Sequence, residues 1–390
     1  MVVGGGMAAD SAVQAIREID TEGTIGIISK DISEPYARPP LSKDLWKGEG
    51  ELDDIYLGTA ESDVKFHLNQ TVNKIDPVNK KVWVENGDEY SYEKLLIATG
   101  GTPKEIPNVK VAGIIYYRSL ADFKVLREIV DKKNSFGVIG GGFIGSEIAA
   151  GIKMYKPEAK ISMIFPEYGI GGLIFPENLS KFLNEFYKEK GINVLSGDLV
   201  SRVSKQGEKY LVETKNGKKL EFDAIVAGLG INPNTKLAKD INLEVDDGIV
   251  VNQHLQTSNK DIYAAGDVVR YYVPVLNAKI RVEHEDNAIN MGWTAGQNMT
   301  GQNNEYHLLS YFYSDLFDYG YEAVGLLDSR LKIEEIWKEP FEEGILYYLK
   351  DDKVKGVLFW NVWDKVDEAR LIISEGKKVS RKKLETLIEF

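Results

Sequence analysis

Apolar residues in this chain come in short runs that stop at glycines. "VV" at residues 2 and 3 runs into "GGG", and "VI" at 138 and 139 runs into "GGG" again. After each comes a stretch with the apolar spacing of a helix, "AADSAVQAIREI" in one case and "IGSEIAAGIKMY" in the other. "TIGIISKD" and "KISMIFPE" read as the second strands of the same two units. "YEKLLIATGG", "FDAIVAGLGINPN" and "DIYAAGDVV" each set an apolar strand before a glycine. Toward the C-terminus, "GILYYLK" and "VKGVLFWNVW" are β-rich runs joined by "DDK", which predicts a hairpin, and Ser380 is placed to N-cap a terminal helix. Tyr311, Tyr313, Tyr319 and Tyr321 alternate as on a strand with one buried face. The predicted fold class is α/β, with two Rossmann-like dinucleotide-binding domains and a C-terminal α+β domain.

The two glycine runs are one device used twice. A strand, a tight glycine turn and a helix start let backbone N–H groups and the positive end of the helix meet a pyrophosphate. Gly4 and Gly6 occupy the first two glycine positions of one copy, with Ala9 in the third, where close packing is the requirement. Gly140, Gly142 and Gly145 fill all three in the other, 136 residues further on. A lone copy could serve plain strand–helix packing. Two copies imply two dinucleotides. Counting 27 residues from the first glycine reaches Asp31 in one unit and Glu167 in the other, each at the end of a second strand where an acid accepts from ribose hydroxyls. A carboxylate at Glu167 repels a 2′-phosphate, so this site is expected to take NAD(H) in preference to NADP(H).

Composition narrows the chemistry. The 390 residues, 43% hydrophobic and 28% charged, suit a globular protein of two or three domains. The net charge of −12 argues against a nucleic-acid partner, since phosphate binding needs clustered Lys and Arg. There is no cysteine, which removes disulfide relays, thiolate zinc and iron–sulfur ligation. Four scattered histidines and the consecutive "EHED" at 283–286 offer no converging metal ligands, and no metal is expected. No apolar span of membrane length and no leader is evident, so the expected location is cytoplasmic, or organellar if a presequence precedes Met1.

One polar stretch fits none of these elements. "EPYARPPLSKDLW" sets Arg38 and Lys43 around a Pro-Pro pair, whose fixed φ angles make a stiff turn. On composition alone Lys43 reads as a surface residue.

These motifs, taken in order, resemble the pyridine-nucleotide-dependent flavoprotein reductases. "RVEHEDNAINMGWTAGQ", "YFYSDLFDYGYEAVG" and "GILYYLKDDKVKGVLFWNVW" resemble the apoptosis-inducing factor branch, close to the ferredoxin-reductase-like flavoenzymes. The resemblance implies an FAD domain at 1–118 and 233–304, an inserted NAD(H) domain at 119–232, and a C-terminal domain at 305–390. It implies that Gly4, Gly6 and Arg38 hold the FAD pyrophosphate and that Asp267, after Gly266, bonds the ribityl chain. Arg118 becomes a second flavin-contacting arginine, and Ala98, Thr99, Gly100 and Gly230 cofactor-binding turns. Lys43 lies beside the reactive edge of the flavin and pairs with Glu147, Phe143 covers the ring until nicotinamide displaces it, and Glu283 and His284 form a Glu-His motif near its pyrimidine end. Lys30 stands where the family has a ribose-binding glutamate, leaving Asp31 next to it, and Tyr313 stands where relatives place a tryptophan.

Two functions follow from the resemblance. In the first, an FAD-dependent NADH oxidoreductase passes a hydride to flavin N5 and, with no cysteine relay, hands electrons directly to a small electron-transfer protein, a quinone or oxygen. In the second, an NADH-responsive redox sensor turns over slowly through a charge-transfer complex. The expected state is a monomer or an NADH-dependent homodimer.

Overall fold

The glycine-ended apolar runs become the first strands of two parallel sheets built to one plan. The structure, a computed structural model, describes residues 1–390. It divides into two units, one of residues 1–37, 53–102 and 232–312, the other of residues 38–52, 103–231 and 313–390.

In the first unit the sheet order is Ile262–Ala264, Leu95–Ile97, Val2–Val3, Ile25–Ile28, Val64–His67, all parallel. Strand order reverses at Val2–Val3, the point at which doubly wound sheets leave a crevice for ligands. Helix Met7–Arg17 follows that strand and packs on helix Glu285–Met299. The fit needs small residues: a Cβ at Gly292 would lie 2.3 Å from the Ala8 carbonyl oxygen, and one at Gly296 2.4 Å from that of Ala12.

The second unit repeats the scheme, with parallel strands in the order Ile192–Ser196, Lys160–Phe165, Ser135–Ile139, Ala224–Ala227, Ile115–Tyr116. The likeness goes past the sheet. Each unit carries a three-stranded antiparallel sheet before the strand next to its first one, at 72–91 in the first and 200–222 in the second.

The rest of the second unit holds a five-stranded sheet and helix Val366–Glu375. Strands Glu343–Lys350 and Lys353–Trp360 pair antiparallel across Asp351 and Asp352, both at positive φ (55° and 59°), the geometry of a two-residue hairpin turn. Ser380 caps helix Arg381–Leu384 by accepting from the Lys383 N–H. Of the alternating tyrosines, Tyr319 and Tyr321 are buried, while Tyr311 and Tyr313 are half-buried. No helix is long and apolar enough to cross a membrane.

Candidate functional site

The two glycine turns have matching geometry. Gly4 and Gly140 sit at φ +113° and +116°, where an L side chain is strained, and a Cβ on either would strike a carbonyl oxygen, that of Ala98 at 2.2 Å or of Gly228 at 2.4 Å. Close approach of the first strand to the turn after its neighbour therefore demands glycine. Gly145 obeys the same rule, with a Cβ landing 2.1 Å from the Gly140 carbonyl oxygen, and Ala9 in the first copy is fully buried.

Gly142 is different. It has an ordinary φ of −84°, and a Cβ there would meet no atom within 4 Å. Packing does not require glycine at this position. What its bareness leaves is open approach to the start of helix Phe143–Tyr155, which has no side-chain cap, as helix Met7–Arg17 beginning at Gly6 has none. Uncapped helix starts with room in front of them suit a pyrophosphate. Glu167 stands two residues past strand Lys160–Phe165, beside the strand that ends in this turn.

In the first unit, Thr99 and Gly100 are stitched to Asn234: Thr99 Oγ1 donates to the Asn234 carbonyl at 3.0 Å, and Asn234 Nδ2 returns a bond to the Thr99 carbonyl at 2.8 Å. Gly266, at φ +79°, brings the Asp267 turn against both long helices, with its Cβ position 3.3 Å from Ala8 and 3.9 Å from Ala288. His284 opens helix Glu285–Met299 and stacks on Phe312, centroids 4.2 Å apart and planes at 18°. Loss of hydration lowers His284 to about 4, the Asp267 carboxylate pulling weakly the other way, so the imidazole is neutral at pH 7. Glu283 is exposed and paired with Arg281 at 2.6 Å. Asp31 has both carboxylate oxygens engaged, one by the Ser33 N–H at 3.1 Å and one by the Tyr36 hydroxyl at 2.9 Å. It organises its own loop, and any ribose bond would use its remaining lone pairs.

The second unit gathers the residues of the proline turn. Pro39–Leu41 form a 3-10 turn, and helix Asp44–Lys47 follows, with Gly48 at φ +76° as its left-handed stop. Trp46, 1% exposed, anchors the segment; its indole N–H donates to the Leu41 carbonyl at 2.8 Å, and its ring meets Phe123 edge-on at 5.5 Å. The anchor also needs Gly151, where a Cβ would fall 2.9 Å from the Trp46 side chain. The Tyr117 hydroxyl donates to the same Leu41 carbonyl. With the turn fixed, Lys43 points inward and is 7% exposed, so the surface reading fails.

Its partner is Glu147, 3% exposed, on the first turns of helix Phe143–Tyr155, with Nζ 2.6 Å from Oε1. Two residues that local sequence pattern did not reveal complete the group. The Ser42 hydroxyl donates to Glu147 Oε2 at 2.5 Å, and the Ser314 hydroxyl to Oε1 at 2.5 Å. Lys43 Nζ also lies 5.1 Å from the centre of the Tyr313 ring. In the duplicated plan the position matching Glu147 is Ser11, whose hydroxyl bonds the Ile289 carbonyl at 2.7 Å. The framework of the first copy does without an acid there, whereas the second copy carries one. Arg38, Arg118, Phe143 and Gly230 belong to this unit too, the two arginines and Phe143 half-buried and Gly230 at φ +79° accepting from the Lys104 N–H at 2.9 Å.

Residues 1–292 match the pyridine nucleotide-disulphide oxidoreductase family. The chain belongs to that family. Residues 295–340 and 332–375 match the C-terminal domain described as "Apoptosis-inducing factor, mitochondrion-associated, C-term". The chain is 36% identical to mitochondrial apoptosis-inducing factor 1 of Dictyostelium discoideum, over 97% of this chain and 79% of that protein. It is 27% identical to the putidaredoxin reductase of Pseudomonas putida over 96% and 91%. A crystal structure of the covalent putidaredoxin reductase–putidaredoxin complex matches with a TM-score of 0.90 at 26% identity, over 98% of this chain and 94% of that one. As a member of this family, and of its apoptosis-inducing-factor-like branch, the chain is an FAD-dependent NADH oxidoreductase. The disulphide of the family name has no counterpart in a chain without cysteine.

Proposed function

We propose that this oxidoreductase takes electrons from NADH and delivers them straight from FAD to an acceptor outside the chain, a small electron-transfer protein, a quinone or oxygen. The buried Lys43–Glu147 pair carries this reading: an ion pair costs several kcal/mol to desolvate, about as much as its attraction returns, and the framework copy does without it. When bound, FAD would supply the hydride-accepting chemistry, with NADH as the hydride donor.

The chain's own residues divide the remaining work. The helix starts at Gly6 and Gly142 hold the two pyrophosphates, with Arg38 adding a cation to the first, Asp267 taking the ribityl chain and Arg118 a further flavin contact. Asp31 is the acid nearest the adenosine end of FAD. Glu167 accepts from the ribose of NADH and excludes a 2′-phosphate. Phe143, on the turn after Gly142, covers the place where nicotinamide enters. Lys43 holds a fixed positive charge at the reactive edge, and Glu147 keeps that charge in position. His284, neutral and stacked on Phe312, bounds the far end without adding charge.

With no thiol to relay electrons, the acceptor must approach the cofactor itself. Putidaredoxin reductase and the protein named in its complex supply the precedent for a carrier protein. The test is anaerobic: the protein is reduced with NADH, and a ferredoxin-type carrier, a soluble quinone and oxygen are offered separately, with sizing before and after NADH. Fast turnover with one of them at unchanged size supports the proposal. Slow turnover with all three, accompanied by NADH-dependent association, replaces it with the sensor reading.

A further inference from the structure

The structure assigns to Ser42 and Ser314 a part in the chemistry: we infer that they are positioning residues which hold the Glu147 carboxylate against Lys43, and that the C-terminal strand thereby fixes the charge beside the flavin. The inference rests on the proposed place of Lys43.

Glu147 receives three donors within its two oxygens. Lys43 Nζ and the Ser314 hydroxyl share Oε1, at 2.6 and 2.5 Å, and the Ser42 hydroxyl takes Oε2 at 2.5 Å. O–H donors reach such short distances when the acceptor is charged. Ser42 has an alternative in the Pro39 carbonyl, but at 3.4 Å, and a hydroxyl has one proton to give. Neither serine is solvent-facing: Ser314 is 0% and Ser42 5% exposed. A buried carboxylate with one partner leaves lone pairs unmet, which is what makes isolated buried ion pairs costly; the serines meet them.

Ser314 does not act alone. Three consecutive residues of strand Tyr311–Leu316 address this group: the Tyr313 ring lies 5.1 Å from Lys43 Nζ, Ser314 bonds Glu147, and Asp315 pairs with Lys47 Nζ at 3.2 Å. The strand thus grips both ends of the segment 43–47. A plain packing role for a buried serine is met by a backbone acceptor, as for Ser11 on helix Met7–Arg17, rather than by a charged side chain of another element.

The test uses Ser42→Ala, Ser314→Ala and the double variant as FAD-loaded protein, with Ser11→Ala as a buried-serine control. Two quantities are read: the midpoint potential of the bound flavin, and the rate at which Lys43 is reductively methylated, followed by peptide mass spectrometry on loaded and flavin-stripped protein. In the single variants Lys43 reacts about tenfold faster, the scale of one lost charge-assisted hydrogen bond, and the potential moves in the same direction as in Lys43→Met, by less. The double variant moves furthest, and Ser11→Ala leaves both quantities unchanged. Unchanged Lys43 reactivity in all three serine variants overturns the inference. If the flavin potential ignores Lys43→Met while the serine variants still free Lys43, the placement of Lys43 at the flavin fails and the serine clamp stands.

Discussion

Lys43 Nζ lies 2.6 Å from Glu147 Oε1 inside the second unit, joining the proline turn to the helix that follows the second glycine turn. Deleting either partner strands a buried charge, at a cost of about 3–5 kcal/mol, whereas removing both leaves two neutral groups. Lys43→Met and Glu147→Gln should each lower the urea midpoint clearly, and the double variant should recover most of the loss. Additive effects in that cycle would show that the pair is not energetically coupled.

The same substitution has a second consequence. Lys43→Met should keep FAD but slow its reduction by NADH at least tenfold, roughly 1.4 kcal/mol or more on the barrier. Stopped-flow absorbance under argon measures it, and wild-type kinetics would take Lys43 out of the site.

The glycines separate packing from binding. Gly140→Ala drives a methyl into the Gly228 carbonyl and should lower stability, by about 1–3 kcal/mol for strained backbone. Gly142→Ala meets nothing in the protein and should melt within a degree or two of wild type while NADH affinity drops roughly tenfold, about 1.4 kcal/mol. Calorimetry on both variants decides it: an unaltered NADH affinity in Gly142→Ala would mean that the open face is not a nucleotide site.

Much of this was legible beforehand because it is local. The glycines of the second turn and the acid at the end of the next strand lie within 28 residues, so Gly140, Gly142, Gly145 and Glu167 could be read as one group. The Asp351–Asp352 hairpin and the Ser380 cap are shorter still. Ser42, Ser314 and Phe312 were not legible, because their roles come from partners far along the chain. Nothing around Ser314 distinguishes a clamp on Glu147 from an ordinary strand serine. The burial of Lys43 likewise depends on Trp46 meeting Gly151, a contact no periodicity reports.

His284 supplies a pH dependence. Its ordinary value is 6.5 and burial brings it to about 4, so between these the unfolded chain binds more protons than the folded protein. Stability from this group is full above pH 6.5 and is lost as pH falls toward 4, by about 3 kcal/mol at most at ~1.4 kcal/mol per pH unit. His284→Asn should flatten that slope in urea unfolding between pH 7 and 4; an unchanged slope would place the titration elsewhere.

The most direct measurement is anaerobic titration of the purified, FAD-loaded protein with NADH, watched through the flavin absorbance. Stoichiometric bleaching by NADH, with NADPH much less effective and colour returning when an acceptor is admitted, is the predicted result. A protein that takes up no FAD, or whose bound flavin stays oxidised in excess NADH, would contradict the account.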